Sequence, residues 1–249
     1  MKNMTTHALF YLREYFFPLG CGGCGEALLG AEDAYYGLCK GCRVFLNAAL
    51  IGEKRCEICG RHLISERDTC LSCRERCAAD DRQRYSDQLV KVRTFFPYTG
   101  KFRSILGAYK FRKSLGVGNF LARCLSTGLD DFIPQTIQDA AWVPVPPRPG
   151  KRKKQGWDQI EYLARSLEKC QALPVNRCLK RLPSRSQKEL NREERENNLK
   201  GRILCAKRPP RTAIIFDDVI TTGVTLNACA AALLEGGASS VYGVCLFYD

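Results

Sequence analysis

The chain has 249 residues, 45% of them hydrophobic and 26% charged, enough for one sizeable core and a small satellite domain, which excludes a disordered or fibrous protein. No apolar stretch approaches the roughly 20 residues of a bilayer span, and the N-terminal stretch is broken by Arg13 and Glu14 before any cleavage-site pattern, so a soluble cytoplasmic protein with reduced thiols and no membrane insertion is expected. The formal net charge of +13 is uneven, with 12 Lys/Arg against 12 Asp/Glu in residues 1–89 and 27 against 14 in residues 90–249, a positive field that suits phosphorylated metabolites and nucleic acid alike.

In chain order, Ala8 to Phe17 reads as a short amphipathic packing helix stopped by Pro18. Four CxxC pairs follow, Cys21/Cys24, Cys39/Cys42, Cys56/Cys59 and Cys70/Cys73. A CxxC presents two thiolates to one ion, and two such pairs complete a closed structural zinc site. The stretch is an internal repeat, CGGCGEALL at Cys21 and CEICGRHLI at Cys56, each followed by a second CxxC. Two tandem zinc ribbons are expected, one structural Zn²⁺ each, with Gly25 and Gly60 at knuckles that need positive φ. Cross-braced pairing and a single occupied site are the alternatives. Each zinc would contribute folding energy on the order of 10 kcal/mol, and four thiolates leave no open position for catalysis. His62 reads as a surface residue. Cys77, Cys124, Cys170, Cys178, Cys205, Cys229 and Cys245 lack partner spacing and read as packing residues.

From about residue 90, short β-rich runs alternate with helical patterns, the signature of a mostly parallel sheet covered by helices. The runs are Val90 to Tyr98, Ala140 to Val145, Ile203 to Cys205, Thr212 to Phe216 and Val241 to Tyr248. Gly156 to Lys169 and Thr225 to Leu234 read as helices, the second ending at Gly236 and Gly237. The stretch TAIIFDDVITTGVTL, Thr212 to Leu226, is an apolar strand ending in two carboxylates, then a Thr/Gly turn and a helix start. Loop amides and a helix N-terminus there make an anion cradle. Carboxylates accept from vicinal hydroxyls, so one loop could read a ribose 5-phosphate.

This loop resembles the phosphoribosyl pyrophosphate (PRPP) signature of type I phosphoribosyltransferases. The resemblance implies that Asp217 and Asp218 face the ribose hydroxyls, with Asp218 the residue to test as a base. It implies that Thr221, Thr222, Gly223 and Thr225 hold the 5-phosphate, and that Mg²⁺ arrives with PRPP. Three further stretches are similar to the ComF family, which joins a zinc ribbon to a phosphoribosyltransferase domain and is associated with DNA uptake in natural competence. YTGKFRSILGAYKFRK, Tyr98 to Lys113, resembles that family's opening segment and includes Lys110; seven basic residues and no acid lie between Lys91 and Lys113. VPVPPRPGKRKKQGWDQ, Val143 to Gln159, resembles its proline-rich turn and RGFNQ-like box, with Gln155 where arginine is usual and Trp157 and Asp158 in place of Phe and Asn. SQKELNREERENN, Ser186 to Asn198, resembles its SQxxLxxxxRxxN pattern; on a helix Gln187, Asn191, Arg195 and Asn198 fall in one quadrant.

What this implies is an α/β protein with a type I phosphoribosyltransferase-like sheet over residues 90–249 and an N-terminal helix and double zinc ribbon over 1–89. Arg185, Gln187, Arg195, Asn198 and Lys110 are candidates for closing over the pyrophosphate, and the basic run Arg148 to Lys154 for a phosphate or nucleic-acid contact. Transfer of phosphoribosyl to an unidentified base is the expected activity. The rival is a non-catalytic adaptor that senses PRPP or a nucleotide while binding single-stranded DNA or DNA-uptake proteins.

Overall fold

Four of the apolar runs assemble side by side into a parallel sheet, in the order Lys91–Pro97, Ser240–Tyr248, Thr212–Ile220 and Ala140–Pro144. The computed structural model describes residues 19–50, 54–71, 73–75, 89–129, 132, 139–151, 156–170, 173–183, 199 and 201–249. Its elements are α1 (Ala31–Tyr36), α2 (Lys40–Leu50), β1 (Lys91–Pro97), α3 (Gly100–Lys110), α4 (Leu115–Thr127), β2 (Ala140–Pro144), α5 (Gln159–Cys170), β3 (Leu179–Arg181), β4 (Ile203–Cys205), β5 (Thr212–Ile220), α6 (Val224–Glu235) and β6 (Ser240–Tyr248). The expected helix Ala8 to Phe17, Cys77, Gln155 and the candidates Arg185, Gln187, Arg195 and Asn198 lie outside the described residues.

The sheet is apolar on both faces, as a parallel sheet covered by helices requires. Along β5, Ile214 and Phe216 join one buried cluster with Trp142, Phe120 and Leu163, while Ala213 and Ile215 join a second with Val143, Cys229 and Leu233. Helices α4 and α5 therefore cover one face and α6 the other. The register pairs Phe216 with Val244 and Pro144 with Phe216, which aligns the C-terminal ends of the central strands. Strands β3 and β4 form a separate antiparallel pair, Arg181 opposite Ile203.

The cysteine segments are not a loose appendage. Leu38 and Leu46 of the first belong to the same cluster as Ile105 and Phe120, and Leu63 of the second packs with Val92 and Ile215. The second segment rests on β1, where the Thr94 hydroxyl donates to the Cys59 carbonyl at 3.4 Å and Arg61 Nη2 donates to the Asp249 carbonyl at 2.9 Å. A Cβ on Gly60, whose φ is +70°, would lie 2.3 Å from the Val92 carbonyl oxygen, so only glycine permits this approach. Of the cysteines expected to pack, Cys124, Cys178, Cys229 and Cys245 are buried and Cys205 is half-buried. Cys170 is exposed instead, because it ends α5 on the solvent side. Among the described residues no helix is long and apolar enough to cross a membrane.

Candidate functional site

Two cysteine tetrads form, and both are tandem: Cys21, Cys24, Cys39 and Cys42 converge, as do Cys56, Cys59, Cys70 and Cys73, with all Sγ atoms of a set within 4.8 Å of one another. Cross-bracing is thereby excluded. A tetrahedral ion with sulfur at about 2.3 Å holds neighbouring sulfurs roughly 3.8 Å apart; the Cys24–Cys39 and Cys59–Cys70 pairs stand at 3.7 Å. Backbone N–H groups point at the ligand sulfurs, from Gly23 and Cys39 to Cys21 Sγ at 3.4 and 3.3 Å, and from Cys70 to Cys56 Sγ at 3.3 Å. Hydrogen bonds from Cys59 and Cys73 hold the Cys56 thiol far below its ordinary range, while Cys59 is pushed up to about 12, first by Cys56. Four crowded thiols cannot all ionise without a cation, and the donor set fits structural Zn²⁺. His62 is exposed and stands outside the completed tetrad, as expected.

A cavity of about 610 Å³ opens at the C-terminal end of the sheet, where ligands of open α/β folds bind. It is lined by Asp217, Asp218 and the whole Thr221-to-Thr225 loop, together with Lys110, Arg148, Lys151, Asp158 and Arg181. Strand β5 does not end at Phe216 as expected from sequence. It runs through both acids to Ile220, because Val219 and Ile220 still pair with Phe247 and Tyr248. Successive side chains on a strand point to opposite faces, so the two carboxylates straddle the sheet at the cavity floor.

Their environments differ accordingly. Asp218 Oδ1 pairs with Lys110 Nζ at 2.9 Å. Asp217 Oδ1 accepts the Asp218 N–H at 2.8 Å. Burial, then the Asp218 charge, pushes the Asp217 carboxyl up to about 7, against the pull of Lys110 and Lys151. After Ile220 the chain turns through Thr221 and Thr222 to Gly223, the N-cap of α6, with φ +77°. The first turn of α6 leaves backbone N–H groups without intrahelical partners, which equips this loop as an anion cradle.

Sequence reasoning singled out Lys110, the acid pair and the loop, and the fold brings all of them to one cavity. Lys110 closes on Asp218. Arg181 went unnoticed, since it sits in a three-residue strand with no periodicity to read. Arg148 belonged to the basic run, and the fold places it at the cavity after β2. Burial lowers the guanidinium pKa of both, and the Arg148 charge adds to the shift of Arg181. Two partly desolvated cations that repel one another across a cavity are stabilised by an anion between them. Lys151 Nζ donates to Gln159 Oε1 at 2.7 Å.

No protein-family model matches the chain. Competence protein F of Haemophilus influenzae is 26% identical over 234 residues, 91% of this chain and 95% of its own length. Competence protein ComFC of Streptococcus pneumoniae is 25% identical over 192 residues (77% of this chain, 79% of the relative). Competence protein ComFC of Bacillus subtilis is 27% identical over 203 residues (80% and 79%). An alignment of 234 residues runs through both the cysteine tetrads and the sheet.

Proposed function

We propose that this chain, which belongs to the ComF family of competence proteins, binds PRPP in the cavity at the end of β5 and transfers its phosphoribosyl group to an acceptor base in the cytoplasm, in support of natural competence and DNA uptake. One observation carries the reading: a carboxylate pair, a Thr/Gly loop at a helix N-terminus, the buried Arg181 and the half-buried Arg148 line the same space. These are the three chemistries a sugar diol, a phosphate monoester and a pyrophosphate demand.

In this reading the 5-phosphate lies on the N–H groups of Gly223 to Thr225 and the threonine hydroxyls. The ribose hydroxyls displace Lys110 from Asp218 and donate to the acid pair. Arg148, Arg181 and the released Lys110 hold the pyrophosphate. The acceptor nitrogen forms its bond to the anomeric carbon as the bond to pyrophosphate breaks, and the pyrophosphate keeps the electron pair. The protein has little covalent work to do; it fixes charges where they develop and keeps water out. Mg²⁺ on the pyrophosphate would neutralise leaving-group charge, and it would come with the substrate, since among the described residues only the cysteine tetrads gather three or more ligand atoms. Asp217, whose carboxyl is raised to about 7 and so is poised between its protonated and ionised forms at neutral pH, is a competent proton acceptor for the incoming base.

The deciding experiment is calorimetry with ribose 5-phosphate and PRPP on the zinc-loaded protein and on the Asp217→Asn, Asp218→Asn double variant. Micromolar binding by the parent and a loss of at least tenfold in a folded variant support the reading; equal affinity defeats it. Pyrophosphate release across a panel of bases then separates an enzyme from a sensor.

A second reading, an adaptor for single-stranded DNA, is favoured by aromatic rings set against cations of α3: Lys101 Nζ lies 5.2 Å from the ring centre of Phe45 on α2, and the Arg103 guanidinium 5.6 Å from that of Tyr98, just before α3. Such interleaving suits base stacking along a phosphate track. An affinity for oligothymidylate that falls with salt by a log–log slope of about −0.7 per phosphate contact supports it; a flat salt response removes it.

A further inference from the structure

One polar group in the cavity has no task in the sugar-phosphate reading. Asp158 precedes α5 and is 6% exposed. Its Oδ1 accepts the N–H groups of Ile160 at 2.9 Å and Glu161 at 3.3 Å, a helix cap. Its Oδ2 is buried without a hydrogen-bond partner, on a residue that lines the cavity. Capping does not require that oxygen, because Ser, Thr or Asn caps a helix equally well. A buried acceptor left unpaired costs free energy, so the position calls for a donor that arrives with a ligand.

The neighbouring cations do not supply one. Lys110 is engaged by Asp218 at 2.9 Å and Lys151 by Gln159 at 2.7 Å. A bound metal is no better answer, since the carboxylates of Asp158, Asp217 and Asp218 do not form a cluster with ligand atoms within 4.8 Å. A second observation comes from Phe111, next to Lys110 at the end of α3, which lines the same cavity and is 79% exposed. A large aromatic ring left open at the rim of a polar cavity offers a face to a planar ligand.

We infer that Asp158 and Phe111 form the base subsite of this cavity and select an amino-bearing nitrogen heterocycle, an inference that rests on the sugar-phosphate reading above. Asp158 Oδ2 accepts an N–H of the exocyclic amino group, and Phe111 stacks on the ring. Recognition by a buried carboxylate favours adenine-like or cytosine-like rings over those with hydrogen in place of the amino group.

The test is calorimetry on the full zinc-loaded chain with four nucleotides in two pairs: AMP against purine riboside 5′-phosphate, and CMP against its 4-hydrogen analogue. The inference expects the amino-bearing member of at least one pair to bind roughly tenfold more tightly, the size of one hydrogen bond to a charged group. Asp158→Asn keeps the helix cap and removes the charge, and should shrink that gap to about twofold or less while ribose 5-phosphate binding stays unchanged. Phe111→Ala should weaken all four nucleotides about fivefold or more and leave ribose 5-phosphate alone. No gap in either pair, measured on the unmodified protein, overturns the inference, as does a gap that survives in Asp158→Asn. Wild-type protein that fails to bind ribose 5-phosphate overturns the sugar-phosphate reading and this one with it; retained ribose 5-phosphate binding without amino selectivity overturns this one alone.

Discussion

Replacing Asp217 with Asn should stabilise the ligand-free protein, and more so at alkaline pH. Burial and the adjacent Asp218 raise the Asp217 carboxyl from its ordinary 3.8 to about 7. A carboxyl raised in this way keeps its proton in the fold while the unfolded chain has already lost it. Between about pH 4 and pH 7 the unfolded state therefore binds fewer protons, and stability falls as pH rises through that window. At about 1.4 kcal/mol per unit, the cost reaches about 2 kcal/mol at pH 5.5 and levels off near 4 kcal/mol above pH 7. Asparagine escapes this cost and keeps the side chain's hydrogen bond, since its Oδ1 can still accept the Asp218 N–H at 2.8 Å.

The assay is urea unfolding followed by tryptophan fluorescence; of the two tryptophans, Trp142 is 1% exposed and has its ring centre 5.6 Å from that of Phe216, next to the substituted residue. With zinc and reductant present in both proteins, the metal contribution cancels in the difference. The expected gain of Asp217→Asn grows by about 2 kcal/mol from pH 5.5 to pH 8. A gain independent of pH, or a variant less stable than the parent at pH 8, would refute the account of the raised Asp217 carboxyl. Excess ribose 5-phosphate should narrow the gap, because ligand stabilises only the protein that binds it.

Three other outcomes are expected. Atomic absorption should give two zinc ions per chain, and a chelator should take that of the first tetrad before the second, because Cys24 is exposed and Cys39 half-buried whereas Cys56, Cys59, Cys70 and Cys73 are all buried; a single ion contradicts the two tandem sites, and the reverse order contradicts the exposure argument. Gly60→Ala should cost roughly 3 kcal/mol or more, with its Cβ forced to 2.3 Å from the Val92 oxygen, whereas Gly25→Ala, with φ +84° but open space around it, should cost only about 1–2 kcal/mol; equal shifts in Tm would deny the close approach. Partial chelation that empties the first tetrad should lower ribose 5-phosphate affinity although no cysteine lines the cavity, and unchanged affinity by calorimetry would show the modules to be uncoupled.

Much of the site could be read from sequence because its chemistry is local. Thiolate spacing fixes a tetrad within some twenty residues, and an apolar strand, two acids and a Thr/Gly turn are contiguous. What depends on partners in space was not readable. The end of β5 shifted by four residues because Phe247 and Tyr248 lie beside it, which no feature of Val219 or Ile220 announces. Helices α3 and α4 were hidden by glycines, poor helix formers; those of α4 serve close contact, since a Cβ on Gly118 would meet the Tyr162 ring at 2.6 Å. Arg181 reached the cavity only through the pairing of β3 with β4. Asp158 resembled a simple departure from the family's Asn until its second oxygen was found without a donor.

The cysteine modules, expected as a small satellite, pack against the sheet domain in a way that bears on function. Among the described residues β1 stands at one edge of the sheet, while Trp142 of β2 at the other is bridged to Val175. Edge strands need covering, and here the cysteine segments contribute to it. Arg55 reaches across from the second segment to the Thr94 carbonyl and the Leu50 carbonyl, linking edge strand and first segment with one guanidinium. The first segment in turn holds the helices that build the cavity wall: Arg112 Nη2 donates to the Gly22 carbonyl at 3.3 Å, two residues beyond Lys110, and a Cβ on Gly22 would lie 2.7 Å from Val117. Thiolate-bound zinc would fix Gly22 between Cys21 and Cys24, Gly22 positions Arg112, and Arg112 continues the turn that carries Lys110 and Phe111 to the acid pair. Metal and ligand sites thus share one run of backbone, so ions with no open coordination position can still set the geometry in which Lys110 meets Asp218.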